Sequence, residues 1–174
     1  IAQVTTPGPA TAVACDRAHI VAATGGAGIS IIDTLTGTMN AVSRQTGFGG
    51  QTAVSVAAAN GVAYVGLGNG SVARVNLATG ALAGQLVVAP DKVIQDLTLV
   101  GDYLYALTLD DLYAIALDTF TVSGAAEFAG DNQLLGLRLR LAPELQRILV
   151  TDEQGYKYFG LSLPGLPSPT AVTT

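Results

Sequence analysis

Three pairs of acidic or amide residues are the groups most able to do chemistry in this chain: Asp110-Asp111, Asp131-Asn132 and Asp152-Glu153. Paired carboxylates can hold calcium through oxygen ligands, or divide into a proton donor and a proton acceptor. Each pair falls in a predicted turn, where Asp and Asn are favoured because their side chains accept bonds from nearby backbone amides. None has the spacing of an EF-hand loop, so all three read as solvated turn residues. His19 is the only histidine and Cys15 the only cysteine. One of each rules out a multi-histidine zinc site, the usual four-ligand zinc sets and an internal disulfide. A Ser–His–Asp triad through His19 would lack a nucleophile elbow, and His19 reads as a rim residue opening a strand. Cys15 reads as a small apolar filler on a buried strand. Arg17 alone is too little positive charge to make it a reactive thiol. Arg138 and Arg140 are two apart in an alternating segment and share one strand face. They could hold an anion, or pair with Asp96 one repeat earlier; pairing or solvent exposure is the expectation, because charges in tight places are usually matched. Gly66-x-Gly68-x-Gly70 lies inside a hairpin with no helix after it to receive a phosphate. The residues therefore predict no catalytic group, no metal and no cofactor, and they assign no ligand-binding residue.

The elements that must carry these residues repeat about every forty residues, the period of blade-like β-units. Each unit reads as a strand, a hairpin of two strands, an exit turn and a further strand. The hairpins are His19–Thr24 with Ile29–Asp33, Val62–Leu67 with Val72–Asn76, Tyr103–Thr108 with Leu112–Leu117, and Arg147–Thr151 with Tyr156–Leu161. Two-residue turns are predicted at Gly25-Gly26 and Asn69-Gly70, which suit the positive φ of a type I′ turn. Further turns are predicted at Asp110-Asp111 and Gln154-Gly155. Leading strands are expected at 11–15, 52–57, 94–99 and 135–139, and following strands at 39–43, 82–88 and 121–128. Leu137 to Leu141 alternates strictly, which is strand periodicity rather than helix. Four antiparallel strands per unit make one blade of a β-propeller, and the fold expected is all-β.

The expected units are 11–51, 52–92, 93–133 and 134–169. The triplet Thr170-Ala171-Val172 repeats Thr11-Ala12-Val13 and Thr52-Ala53-Val54, so 170–174 is expected to begin a further blade. Ile1 to Thr5 is expected to be an outer strand left from a preceding one. Pro164, Pro167 and Pro169 are expected to disrupt a regular outer strand in the fourth unit. Four blades are thus expected here as part of a larger ring, with further blades from the same polypeptide or from another chain.

Asp33-x-x-Thr36-Gly37 after Ile29-Ser30-Ile31-Ile32, and Asn76-x-x-Thr79-Gly80, resemble the YVTN-type and quinoprotein-like propeller repeats. The third unit departs from the pattern at Asp118-Thr119-Phe120, and the fourth at Leu163-Pro164-Gly165. The resemblance implies a propeller fold. In quinone-dependent relatives the repeats carry tryptophans that dock neighbouring blades, and this chain has none. The Asp or Asn of the motif accepts backbone amides and its Gly reverses the chain, so Asp33, Thr36, Asn76 and Thr79 are expected to hold turns together.

Composition narrows the function classes. Of 174 residues, 49% are hydrophobic and 12% charged, which suits a folded domain. A net charge of −5 opposes non-specific nucleic-acid binding. No apolar run is long enough to cross a bilayer as a helix. Scarce lysine with abundant Ala, Gly, Thr and Val suits an exported bacterial protein in the periplasm, at the cell surface or outside the cell. The expectation is a non-catalytic binding or scaffolding module that engages a protein or glycan partner through loops. Two alternatives are an enzyme portion, lactonase-like or quinoprotein-related, with its site on a central channel, and a self-assembling surface or filament subunit pairing through exposed edges.

Overall fold

The computed structural model of the chain describes residues 3–127, 138–142, 147–151, 156–160 and 168–173. Among them the strands form four four-stranded antiparallel sheets, each an up-and-down meander in chain order. The chain packs as two compact units, residues 1–94 and 95–174.

In the first unit, one sheet holds β1 (Ala12–Asp16), β2 (His19–Ala23), β3 (Ile29–Asp33) and β4 (Met39–Val42). A single helical turn, α1 (Arg44–Gly47), follows, with the Ser43 hydroxyl accepting the Thr46 amide at its start. The next sheet holds β5 (Ala53–Ala59), β6 (Val62–Leu67), β7 (Ser71–Asn76) and β8 (Leu82–Val87). The two sheets bury a shared core that includes Val21, Ile29, Ile31, Phe48, Val65 and Val75. A two-way backbone bridge between Gly25 and Ala53 ties the hairpin of the first sheet to the leading strand of the second.

The second unit repeats the plan with β9 (Asp96–Val100), β10 (Tyr103–Leu107), β11 (Asp111–Ala116) and β12 (Thr121–Glu127), then β13 (Arg138–Ala142), β14 (Arg147–Thr151), β15 (Tyr156–Gly160) and β16 (Ser168–Thr173). Its core gathers Tyr105, Leu107, Leu112, Leu139, Ile148 and Val150. These are the β-branched, leucine and tyrosine positions that alternation assigns to a buried strand face.

Several expectations are corrected. Thr170-Ala171-Val172 lies in β16, which pairs with β15 as the fourth strand of the fourth sheet and does not open a fifth. Pro169 is accommodated there because β16 is an edge strand with a register shift between Lys157 and Phe159, and proline has no amide to donate to a ladder. Residues 3–10 form no strand; Pro7, Gly8 and Pro9 interrupt them, and the Thr6 hydroxyl bonds back to the Gly8 carbonyl. Cys15 is exposed, because Ala12 and Ala14 occupy the core-facing side of β1 and Val13 and Cys15 the other.

The hairpin turns also differ. At the first, Thr24 bonds the Gly28 carbonyl through both its amide and its hydroxyl, which leaves the three-residue loop Gly25-Gly26-Ala27. At the second, the loop is Gly68-Asn69-Gly70: the Gly70 amide reaches the Leu67 carbonyl and Gly70 alone takes positive φ, +80°. That is a type I turn closed by a bulge-forming residue rather than a type I′ turn. At the third, the loop is Leu109-Asp110, and Asp111 is the first residue of β11. The turn expected at Gln154-Gly155 lies outside the described residues.

Candidate functional site

The exit turns show what the recurring motif does. Asp33 Oδ1 accepts the amides of Leu35 (2.8 Å) and Thr36 (3.1 Å), and Asn76 Oδ1 accepts those of Ala78 and Thr79 (3.0 Å each). Gly37 and Gly80 then turn the chain at φ +72° and +71°. The Thr36 amide, followed by the Leu35 amide, holds the Asp33 carboxyl below its ordinary value, and the charge of nearby His19 adds to this. In the third sheet the position of Gly37 is filled by Phe120, at φ +52° and largely buried. Ala116 therefore stands where Asp33 stands, and Asp118 caps only the neighbouring Thr119 amide. The hydroxyl pair Thr119–Thr121 repeats the pair Thr36–Thr38.

A second set of bonds links segments about one repeat apart within a unit. Thr11 Oγ1 reaches the Val54 carbonyl, 43 residues on, and Asp16 Oδ2 accepts the Gly61 amide, 45 residues on. Ser55 Oγ donates to the Ile94 carbonyl at 2.9 Å, 39 residues on. In the second unit Asp96 Oδ2 accepts the Leu139 amide at 2.9 Å. The Asp96 carboxylate thus meets β13 through its backbone, beside Arg138, whose side chain is exposed. The side chain of Arg140 lies outside the described residues, as do the pairs Asp131-Asn132 and Asp152-Glu153. The remaining acidic pair is split: the Thr108 hydroxyl accepts both the Asp110 and Asp111 amides, while the buried Asp111 carboxylate accepts the Tyr113 hydroxyl at 3.2 Å. Gly66, Gly68 and Gly70 belong to the β6–β7 hairpin. Among the described residues no three His, Cys, Asp or Glu side chains gather as a metal-binding group.

One place brings together side chains that the sequence kept apart. His19 stands directly opposite Asp33 across β2 and β3. The Thr34 amide bonds the Ala18 carbonyl one step further out, so the His19–Asp33 pair is the closely spaced, non-hydrogen-bonded kind. Thr38 continues the same row, since the Asp33 amide bonds its carbonyl. Ile31 and Asn40 lie one row inward on the same face. These residues, with Met39 and with Leu77-Ala78 of the second sheet's exit turn, line a cleft of about 140 Å³ inside the first unit. Asn40 Nδ2 donates to the Thr79 carbonyl across the cleft at 3.4 Å, so its Oδ1 remains an acceptor. The equivalent opposed pairs elsewhere are Val62–Asn76, Tyr103–Ala116 and Arg147–Gly160. Only the first of the four sheets faces an imidazole with a carboxylate.

No family model matches the chain, and no curated protein matches it in sequence. Solved structures do match. The crystal structure of the computationally designed Ika4 protein is similar with a TM-score of 0.71 at 14% identity, over 91% of this chain and 94% of that one. A chain in the crystal structure of the Mitotic Checkpoint Complex is similar with a TM-score of 0.72 at 10% identity, over 87% of this chain. This chain spans 46% of that one. At these identities the likeness is one of fold. The resemblance to YVTN-type and quinoprotein-like repeats rests on the two exit-turn motifs alone.

Proposed function

We propose that the four sheets are the blades of a β-propeller and that the chain is a non-catalytic binding module that engages a protein partner at the exit-turn end of its first two sheets. The cleft between His19, Asp33, Asn40 and Leu77 carries this reading, because it is where polar side chains converge beyond what the repeat requires. Among the described residues Asp16, Asp96, Asn76 and Thr108 each accept backbone amides. The fold likeness to two proteins of unrelated sequence adds support for the architecture and none for a ligand.

The sheet edges favour a binder over a self-assembling subunit. β4 has only four residues. β8 and β12 each carry a register shift, at Arg74/Val75 and at Ala114/Ile115. β12 also ends in Glu127, and β16 contains Pro169. Shortness, bulges, charge and proline are the devices that keep an edge strand from pairing with another chain.

Site-specific photocrosslinking tests the reading. A crosslinking residue replaces Leu35, which is 83% exposed on the first exit turn, and in a second variant replaces Gly26 in the hairpin loop at the other end of the same sheet. The expected result is a discrete adduct with one other protein at position 35 and none at 26. Adducts only with the chain itself, or equal adducts at both positions, would sink the proposal.

A further inference from the structure

We infer that the His19–Asp33 cleft receives the guanidinium of an arginine presented by a protein partner. The inference rests on the binding-module reading and names the chemistry of its contact. Four observations carry it.

The cleft is rich in acceptors, and neither lysine nor arginine lines it; His19 is its one basic side chain. Asp33 is held ionised by the turn amides. A carboxylate offers about four lone-pair sites; the Leu35 and Thr36 amides take positions on Oδ1 and the Thr36 hydroxyl is a further donor, which leaves at least one site open. Asn40 supplies a second acceptor through Oδ1. A donor-only group with several N–H bonds in one plane fits this set, and guanidinium has five.

Size points the same way. About 140 Å³ is well below the roughly 300–1,000 Å³ of pockets that enclose whole small ligands, and suits a single side chain. The walls suit its stem: Ile31, Leu77 and Met39 offer apolar surface to the methylene groups. The chain's net charge of −5 also draws a cationic partner.

The repeat provides a clean variant. Asn76 makes the same two amide bonds in the second sheet that Asp33 makes in the first. Asp33→Asn therefore keeps the turn and removes the charge, so a loss of binding is not a loss of folding.

The test is a titration followed by backbone amide NMR shifts, with N-acetyl-arginine amide as the probe and N-acetyl-citrulline amide as its neutral isostere. The arginine probe is expected to shift His19, Asn40, Leu77 and Ala78 saturably. Citrulline and the Asp33→Asn protein are each expected to bind at least tenfold more weakly. An unchanged cleft, an equal response to citrulline, or undiminished binding by Asp33→Asn would each overturn the inference. The binding-module proposal is read separately, by the crosslinks at position 35, and survives those outcomes.

Discussion

Tyr105 offers a sharp test of how the second unit is packed. Its side chain is fully buried on β10, and its hydroxyl has no hydrogen-bond partner among the described residues. Burial raises the phenol's pKa, and neighbouring Tyr103 raises it further. An unsatisfied buried hydroxyl costs about 1–3 kcal/mol. Tyr105→Phe removes that cost and keeps the ring against Leu107, Leu139 and Ile148. The void left by one oxygen, roughly 10 Å³ at about 24 cal/mol per Å³, takes back only about 0.2 kcal/mol. The expected outcome is a gain of about 1 kcal/mol, or a rise in Tm of roughly 2–4 °C for a chain of this size. Urea unfolding followed by far-UV circular dichroism measures it, since the chain has no tryptophan to report. The alkaline arm is a second readout. A pKa raised on folding contributes stability that is complete below the ordinary value of 10.0 and lost as pH rises through the folded value. The variant should therefore lose less stability than the wild type above pH 10, with Tyr64, also raised by burial, accounting for what remains. A Tyr105→Phe protein less stable than wild type by more than about 0.5 kcal/mol would refute the reasoning, because the hydroxyl would then be contributing a bond.

Two further outcomes follow from the turns. Asp33→Ala should lower Tm by roughly 2–4 °C at neutral pH, as the loss of a cap does, while Asp33→Asn should change it little. Folding lowers the Asp33 carboxyl, so its contribution is complete above the ordinary value of 3.8 and is lost as pH falls through the folded value. Wild type and Asp33→Ala should thus converge in acid denaturation below that value, and a constant gap would contradict the capping role. Gly70→Ala should cost about 3 kcal/mol or more, combining strain and overpacking. Its φ is +80° and an added Cβ would run into the Ala89 carbonyl. A loss under about 1 kcal/mol in chemical denaturation would show that the loop moves aside.

The sheet plan was legible in the sequence because it rests on alternation and on a period, both of which survive errors of a residue or two. The cleft was not, because it depends on register. A two-residue turn at Gly25-Gly26 would put His19 opposite Ile32. The three-residue loop puts it opposite Asp33, and a one-residue slip in pairing moves every side chain to the other face. The signal lay in Thr24, whose hydroxyl and amide both close on Gly28, yet nothing in the letters Thr-Gly-Gly separates that loop from a tighter one. Phe120 was hard to read in a similar way. Tertiary burial holds it at a backbone angle that the turns at Gly37 and Gly80 give to glycine, so the departure at Asp118-Thr119-Phe120 hid a turn of the same shape. Cys15 was placed inside because its strand is apolar throughout, and alternation alone does not say which face of Ala12–Asp16 meets the core.

The bonds from Thr11 to Val54, Asp16 to Gly61, Ser55 to Ile94 and Asp96 to Leu139 all reach one repeat ahead and no further. Each joins a side chain to a backbone group 39 to 45 residues on, and a backbone group is the one partner that every repeat supplies whatever its sequence. Such a chain tolerates unequal duplication: a copied repeat finds its donors and acceptors already in place on both sides, and a deleted one leaves neighbours that still match. The side chains of any single repeat are then free to differ, as the row His19–Asp33 differs from Val62–Asn76. Lineages built this way keep an architecture long after they have lost the sequence likeness that would betray common descent.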